Sequence, residues 1–206
     1  MGAAKDGVQG ILKKLGENGF LCMQAPERYG GLALEDFRFN ALFIEELGLS
    51  GCSGPAIGYP LHNDIVLPYI LHYGSEEAKI KYIPKMVSGD YISAIAMTEP
   101  GAGSDLQNIK SRAIDQGGYY TLSGTKTFIT NGYLSDVVVV AAKTDPSKGA
   151  RGISLFVVDK EMQGLPKEFH LKKSACMHRI LVNCFSRKSK FPKKTYWGSL
   201  EEVLPT

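Results

Sequence analysis

MTEPGAGSD, residues 97–105, divides the 206-residue chain into two textures: helical periodicity before it, short β-rich runs after it. It follows an apolar, strand-like run from Tyr91 to Ala96. Pro100 sets one φ, and Gly101 and Gly103 flank Ala102, so the backbone is free to take left-handed angles and a ligand can approach it without Cβ interference. Successive N–H groups in such a turn can form a concave anion-binding nest. Thr98 and Ser104 add neutral hydroxyl donors. That chemistry suits a flat cofactor with polar edges. It matches neither a P-loop, which needs Gly-Lys-Ser/Thr, nor a Gly-x-Gly-x-x-Gly dinucleotide fingerprint. Taken alone, Pro-Gly-Ala-Gly between two strands is simply a turn; the surrounding residues decide otherwise.

Upstream, Val8, Ile11, Leu12 and Leu15 recur at helical spacing and predict a first helix ended by Gly16 and Gly19. Residues 26–32, PERYGGL, read as a loop. Phe37, Ala41, Ile44 and Leu47 mark one face of a helix running from near Glu35 to Gly48. The apolar stretch Ile57–Tyr73 contains Pro60 and Pro68, where a helix must start or kink. Ser75 is an N-cap for a helix with Glu76 and Glu77 in its first turn.

Downstream, Tyr91–Met97, Ile109–Ile114, Tyr119–Leu122, Lys126–Thr130, Val137–Ala142 and Ile153–Val158 read as strands. Gly117-Gly118, Ser123-Gly124 and Asn131-Gly132 between them predict antiparallel hairpins in a sandwich or barrel. The expected fold class is therefore α+β and multidomain: an all-α domain over residues 1–90, an antiparallel β-barrel or sandwich middle domain over 91–173, and a basic tail over 174–206.

A net charge of +3, much of it in the last part of the chain, gives no reason to expect nucleic acid as a partner. No apolar run reaches membrane-spanning length and the N-terminus has no signal-peptide core. Cys22, Cys52, Cys176 and Cys184 lack metal-ligand spacing and read as reduced thiols, and His62 and His72 as core or surface histidines. No metal is expected.

An α-then-β order with MTEPGAGSD at the junction resembles the acyl-CoA dehydrogenase family. Further stretches agree: Glu27-Arg28-Tyr29-Gly30-Gly31, Gly74-Ser75-Glu76-Glu77, Tyr82-Ile83-Pro84, Ser123-Gly124 with Lys126 and Phe128-Ile129-Thr130-Asn131-Gly132, and Gly152-Ile153-Ser154-Leu155-Phe156. The resemblance covers about Gln9 to Lys173 and is nearest to long-chain members in AIAMTEPGAGSDLQ, Cys52–Pro55 and Leu134–Val137. It implies α,β-dehydrogenation of an acyl-CoA to the trans-2-enoyl-CoA with FAD as cofactor, acyl-CoA as substrate and electron-transfer flavoprotein as acceptor. It implies a homo-oligomer, dimer or tetramer, in the bacterial cytoplasm or mitochondrial matrix. Carried over by residue, it implies a flavin site at Ile95, Ala96, Met97, Thr98, Glu99, Pro100, Gly101, Ala102, Gly103 and Ser104, completed by Phe128, Ile129 and Thr130. Ser104, Ala150 and Arg151 would meet the acyl-CoA. Glu99, followed by proline in a rigid turn, reads as a structural carboxylate, not a base. Phe128 can pack on a ring face, although by pattern alone it is a core strand aromatic.

The family's catalytic glutamate belongs to a C-terminal four-helix bundle that this sequence does not match, so no catalytic residue is assigned and this polypeptide is expected to be inactive alone. An alternative is a non-catalytic remnant that binds flavin or acyl-CoA. The opening also looks short by about a helix. After Lys173 the chain departs from the family pattern, yet if Lys172–Leu181 are encoded AAA AAA TCG GCA TGC ATG CAT CGG ATA CTG, one of the codon choices open to these residues, the frame starting at the third base spells KIGMHASDT, which restores it. A single-base slip in the adenine-rich Lys172-Lys173 codons is therefore expected. The charges of Arg187, Lys188, Lys190, Lys193 and Lys194 would then carry no selected meaning, and the β domain would keep an unpaired edge.

Overall fold

A computed structural model describes residues 2–51 and 53–161 and four short strand segments, 172–174, 179–181, 190–192 and 196–199. The chain forms two compact units, Met1–Ser93 and Ala94–Thr206. The first is helical and the second is built on a sheet, which is the α+β class expected from the sequence.

The helical unit comprises α1 (Gly2–Glu17), α2 (Arg38–Leu49), α3 (Ser53–Pro60), α4 (Leu67–Tyr73) and α5 (Glu76–Val87). Leu12 of α1 is buried whereas Ile11 stays 45% exposed. Phe37, just ahead of α2, is 60% exposed, and the buried residue of α2 is Asn40, at 5%. The tie is polar, since Asn40 Nδ2 donates to Asp64 Oδ1 and to Gln24 Oε1. Pro60 and Pro68 bracket a π-helical stretch, Leu61–Val66, between α3 and α4. Proline offers no N–H and its ring presses on the carbonyl four residues back. Pro68 stands in the first turn of α4, a helix start as the sequence indicated, and between the two prolines the helix widens its pitch. Ser75 caps α5 as read from sequence, its hydroxyl accepting from Ala78 N–H at 3.2 Å.

The second unit contains β1 (Ser93–Ala96), β2 (Arg112–Asp115), β3 (Tyr119–Ser123), β4 (Val137–Lys143), β5 (Ile153–Asp159), β6 (Lys172–Ser174), β7 (Arg179–Leu181), β8 (Lys190–Pro192) and β9 (Tyr196–Ser199). The main sheet runs β8-β3-β2-β4-β5-β9, with β1 also pairing β4, and β6-β7 form a separate hairpin. β4 and β5 pair antiparallel over their whole length, Val137 opposite Asp159 through Lys143 opposite Ile153. Every residue of β5 and all but Lys143 of β4 are buried, as in a strand covered on both faces. β2 and β3 each bury a single residue, Ala113 and Leu122.

Three expectations need correcting. The sheet is mixed, because β2 runs parallel to β4 at Arg112 opposite Lys143. Residues 126–130 form no strand. The β3 and β5 edges are paired, by β8 and β9, instead of being left open. Ladder pairing uses main-chain groups and asks little of side chains. Pro192, which has no N–H to give, sits at the edge, where strands tolerate it. The remaining tail positions, Cys176, Cys184, Arg187, Lys188, Lys193 and Lys194 among them, lie outside the described residues, as does Cys52.

One face of the sheet buries Ala94, Ala96, Ala113, Val138, Val140 and Phe156 in a common core. Ile129, from the irregular stretch after β3, plugs into it. No helix among the described residues is long and apolar enough to cross a membrane.

Candidate flavin site

The nonapeptide leaves β1 and closes at once into a tight turn. Glu99 N–H donates to Ala102 O at 2.9 Å and Ala102 N–H to Glu99 O at 3.1 Å, with Pro100 and Gly101 at the tip. Ala102 is buried, while Pro100, Gly101, Gly103 and Ser104 are exposed. Neither Gly101 nor Gly103 takes a positive φ, so the left-handed freedom offered by the sequence is not used here. A Cβ built on either would meet nothing within 4 Å. Neither glycine is thus required by the conformation or by packing among the described residues. What an absent Cβ provides at both positions is an unobstructed main chain facing outward.

Glu99 anchors the turn. Its carboxylate accepts from Lys110 N–H at 2.6 Å, Ser111 N–H at 3.0 Å and Lys126 Nζ at 2.9 Å. The Glu99 side chain is 6% exposed and that of Lys126 0%. Burial alone would raise the Glu99 pKa, but hydrogen bonds from Ser111, Lys110 and Lys126 outweigh it and hold the carboxyl below its ordinary value. Glu99 is therefore ionised and structurally committed, as its place before a proline indicated. Gly124 belongs to the same anchor: a Cβ there would lie 2.0 Å from Ser111 Oγ, so glycine lets Ser111 sit where its N–H reaches Glu99.

The second sequence stretch lies beside the first. Lys126 Nζ donates to Met97 O at 2.9 Å and Thr127 N–H to Thr98 O at 2.9 Å. Ile129 is 3% exposed, and with that side chain fixed inward Phe128 projects outward, 56% exposed, at a left-handed φ of 56°. This is rare for a bulky residue and marks a conformation imposed by its surroundings. Phe128 is thus no core strand aromatic. Asn131, at φ 59°, turns the chain again after the half-buried Thr130. Ile95 is half-buried, and Ala96 points into the sheet core. Neither the Thr98 nor the Ser104 hydroxyl has a hydrogen-bond partner among the described residues. Thr127 Oγ1 is buried without one. Ala150 and Arg151 are exposed on the 3-10 segment Pro146–Gly152, which lies alongside the short turn Leu106–Asn108 that follows Ser104 and Asp105.

The sequence reading quoted Lys126 within a motif and gave it no role. A lone lysine inside an otherwise apolar and hydroxylated run was the available signal. A buried lysine needs a buried anion, and the nearest carboxylate of the neighbouring stretch is Glu99.

The helical unit has its own polar cluster on the π-helical stretch. His62 is buried, with Nε2 3.2 Å from Met86 O and Nδ1 accepting from Ser93 N–H at 3.2 Å, so it is the neutral tautomer protonated at Nε2. Burial pushes its pKa down to about 4, against a smaller opposing effect of the Met86 carbonyl. Burial also raises Asp64 to about 6, with Asn40 acting the other way. Cys22 N–H donates to Asn63 Oδ1 at 2.9 Å, and burial raises its thiol pKa far above the ordinary value. These are packing roles. His72 is exposed, and the described residues contain no group of three or more potential metal ligands.

The profile of the acyl-CoA dehydrogenase N-terminal domain matches residues 3–90, and that of the middle domain residues 94–179. Both limits extend past those set by the motifs. The mitochondrial long-chain specific acyl-CoA dehydrogenase of Sus scrofa is 44% identical over 190 residues, covering 91% of this chain and 44% of that protein. The crystal structure of an acyl-CoA dehydrogenase from Geobacillus kaustophilus superposes with a TM-score of 0.81 at 47% identity, covering 93% of this chain and 50% of that one. Butyryl-CoA dehydrogenase from Megasphaera elsdenii gives a TM-score of 0.81 at 30% identity, covering 92% and 50%. The chain therefore spans about half the length of the relatives it matches.

Proposed function

This chain belongs to the acyl-CoA dehydrogenase family, and from that premise we propose that it is the flavin-gripping part of an FAD-dependent acyl-CoA dehydrogenase. When bound, FAD supplies the acceptor for a hydride leaving Cβ of an acyl-CoA whose Cα proton is also removed, and the product is the trans-2-enoyl-CoA. The chain's own residues bind and orient. The exposed main chain at Gly101 and Gly103 and the hydroxyls of Thr98 and Ser104 present donors toward polar flavin atoms. Such donors favour negative charge at the flavin's pyrimidine end. Phe128 offers a ring face for an aromatic ring system. Ser104, with Ala150 and Arg151 beyond it, faces the acyl-CoA; the Arg151 guanidinium suits a phosphate of the CoA part.

The observation that carries this reading is the pair of glycines that neither conformation nor packing among the described residues calls for, together with a strained, outward-facing aromatic. The residues suit the group: exposed peptide segments, two hydroxyls with no partner among the described residues and an aromatic face belong to two stretches tied at Thr98–Thr127.

The same reading makes electron-transfer flavoprotein the electron acceptor, a homo-oligomer the working form, and either bacterial cytoplasm or mitochondrial matrix the compartment. It also makes this polypeptide inactive by itself. Glu99 is committed to Lys126 and two main-chain donors and cannot serve as the base for the Cα proton. A general base contributes about 10²- to 10⁴-fold.

Titrating the whole chain with FAD, then adding a long-chain acyl-CoA, tests each part. Flavin retention without bleaching on acyl-CoA addition is expected. Bleaching with enoyl-CoA formation would refute the inactivity, and a chain that takes up no flavin would sink the flavin site. Flavin retained with acyl-CoA affinity, but no turnover even with the C-terminal half of a full-length family member supplied in trans, would favour the non-catalytic remnant.

A further inference from the structure

We propose that the buried Lys126–Glu99 pair is a positioning device that holds the Met97–Ser104 turn in its binding shape, an inference that rests on the flavin reading of that turn. The tip of the turn has little packing of its own: Pro100, Gly101, Gly103 and Ser104 are all exposed. Its shape is set at the base, where three elements meet on two side chains. Glu99 gathers the N–H groups of Lys110 and Ser111, which lead into β2, and the Lys126 ammonium that follows β3. Lys126 in turn holds the Met97 carbonyl, the residue at which the turn leaves β1. The Met97 carbonyl is thereby directed toward the protein interior, and the next carbonyl, Thr98 O, is taken by Thr127 N–H at 2.9 Å. With these two carbonyls engaged by Lys126 and Thr127, neither is turned toward an electron-accepting flavin edge, which prefers donors.

Ionic pairing is not the cheapest way to fill such a space. Two buried charges lose their hydration, and a well-packed apolar pair of similar volume is often as stable or more so. A buried pair is worth retaining where it enforces one geometry, and here the geometry enforced is that of a turn whose tip is largely exposed. Glu99 and Lys126 are thus positioning residues: both side chains are buried, and both act through the main chain they hold.

The test uses the full chain in four forms: unaltered, Lys126→Met, Glu99→Gln, and the double variant. Each is titrated with FAD by flavin fluorescence quenching. In parallel, thermal unfolding without FAD and amide hydrogen exchange are measured. Lys126→Met alone leaves a buried carboxylate unpaired and is expected to fold poorly. The double variant removes both charges and is expected to unfold within a few degrees of the unaltered chain, with β4 and β5 amides still protected. Its Glu99 and Ala102 amides are expected to lose protection, and FAD to bind at least about tenfold more weakly, because an unheld loop must be ordered on binding. A double variant that binds FAD as well as the unaltered chain overturns the proposal. So does one whose weaker binding is matched by lost protection throughout β4 and β5, since that is general destabilisation. If the unaltered chain binds no FAD, the flavin reading fails, and the exchange at Glu99 and Ala102 still decides whether the pair holds the turn.

Discussion

Phe128 concentrates the relation between packing and function in one residue. Its left-handed φ costs on the order of 1 kcal/mol for a non-glycine residue, and more than half of it faces outward. Phe128→Gly is therefore expected to leave the thermal midpoint unchanged or slightly raised, while FAD retention falls; a large drop in the midpoint would show that Phe128 serves packing instead. Gly101→Ala and Gly103→Ala make the complementary case. Both positions have open space and ordinary φ, so alanine should be neutral or stabilising by about 0.4–1 kcal/mol through the unfolded chain. Each should nonetheless weaken FAD binding, by calorimetric titration, if the ligand closes on the main chain there. Unchanged affinity in both would remove the main support for the site. At this scale the motif was legible, but its physical use was not. Pro-Gly-Ala-Gly suggests left-handed angles, and the chain places them at Phe128 and Asn131 instead. Burial of Ile129 decides that, and no local pattern encodes it.

Among elements, the π-helical stretch Leu61–Val66 carries two titrating groups, buried His62 and half-buried Asp64, with opposite consequences. His62 is held near 4 against an ordinary 6.5, so as pH falls through that window the unfolded chain takes up a proton the folded one refuses, and stability drops. Asp64 is held near 6 against an ordinary 3.8, so as pH rises through its window the folded chain loses a proton the unfolded one has already lost, and stability again drops. Between about pH 4 and 6 the two slopes oppose each other, each limited to about 1.4 kcal/mol per pH unit and the half-buried Asp64 contributing less. Asp64→Asn should unmask the histidine: in urea unfolding its stability should climb with pH from 4 to 6.5 more steeply than the unaltered chain. Parallel profiles would refute the assignment. A simpler check concerns α5, where Ser75→Ala removes the N-cap bond and should cost about 1 kcal/mol. The cap and both prolines could be read directly, because each acts on its immediate neighbours. Asn40 as the buried contact of α2 depends on Asp64 and Gln24 from other segments.

For the molecule as a whole, the slip expected at the Lys172-Lys173 codons is tested by the coding DNA: the reading frame starting at each third base after those codons should spell the family pattern. Codons that cannot do so would end the idea. Pairing of β8 with β3 and of β9 with β5 does not decide between a slipped and a diverged tail, because main-chain ladders form with many sequences. From the sequence alone came the order of a helical and a β unit, the positions of most elements, the family resemblance and the two stretches of the candidate site. These rest on periodicity, capping and short-range steric rules, which operate within a few residues. Tertiary structure alone decided that the sheet is mixed, that Phe128 turns outward because Ile129 is drawn inward, and that Lys126 meets Glu99 27 residues away in sequence. Those outcomes follow from filling one shared interior and neutralising one buried charge, and both require segments that are adjacent only once the chain has folded.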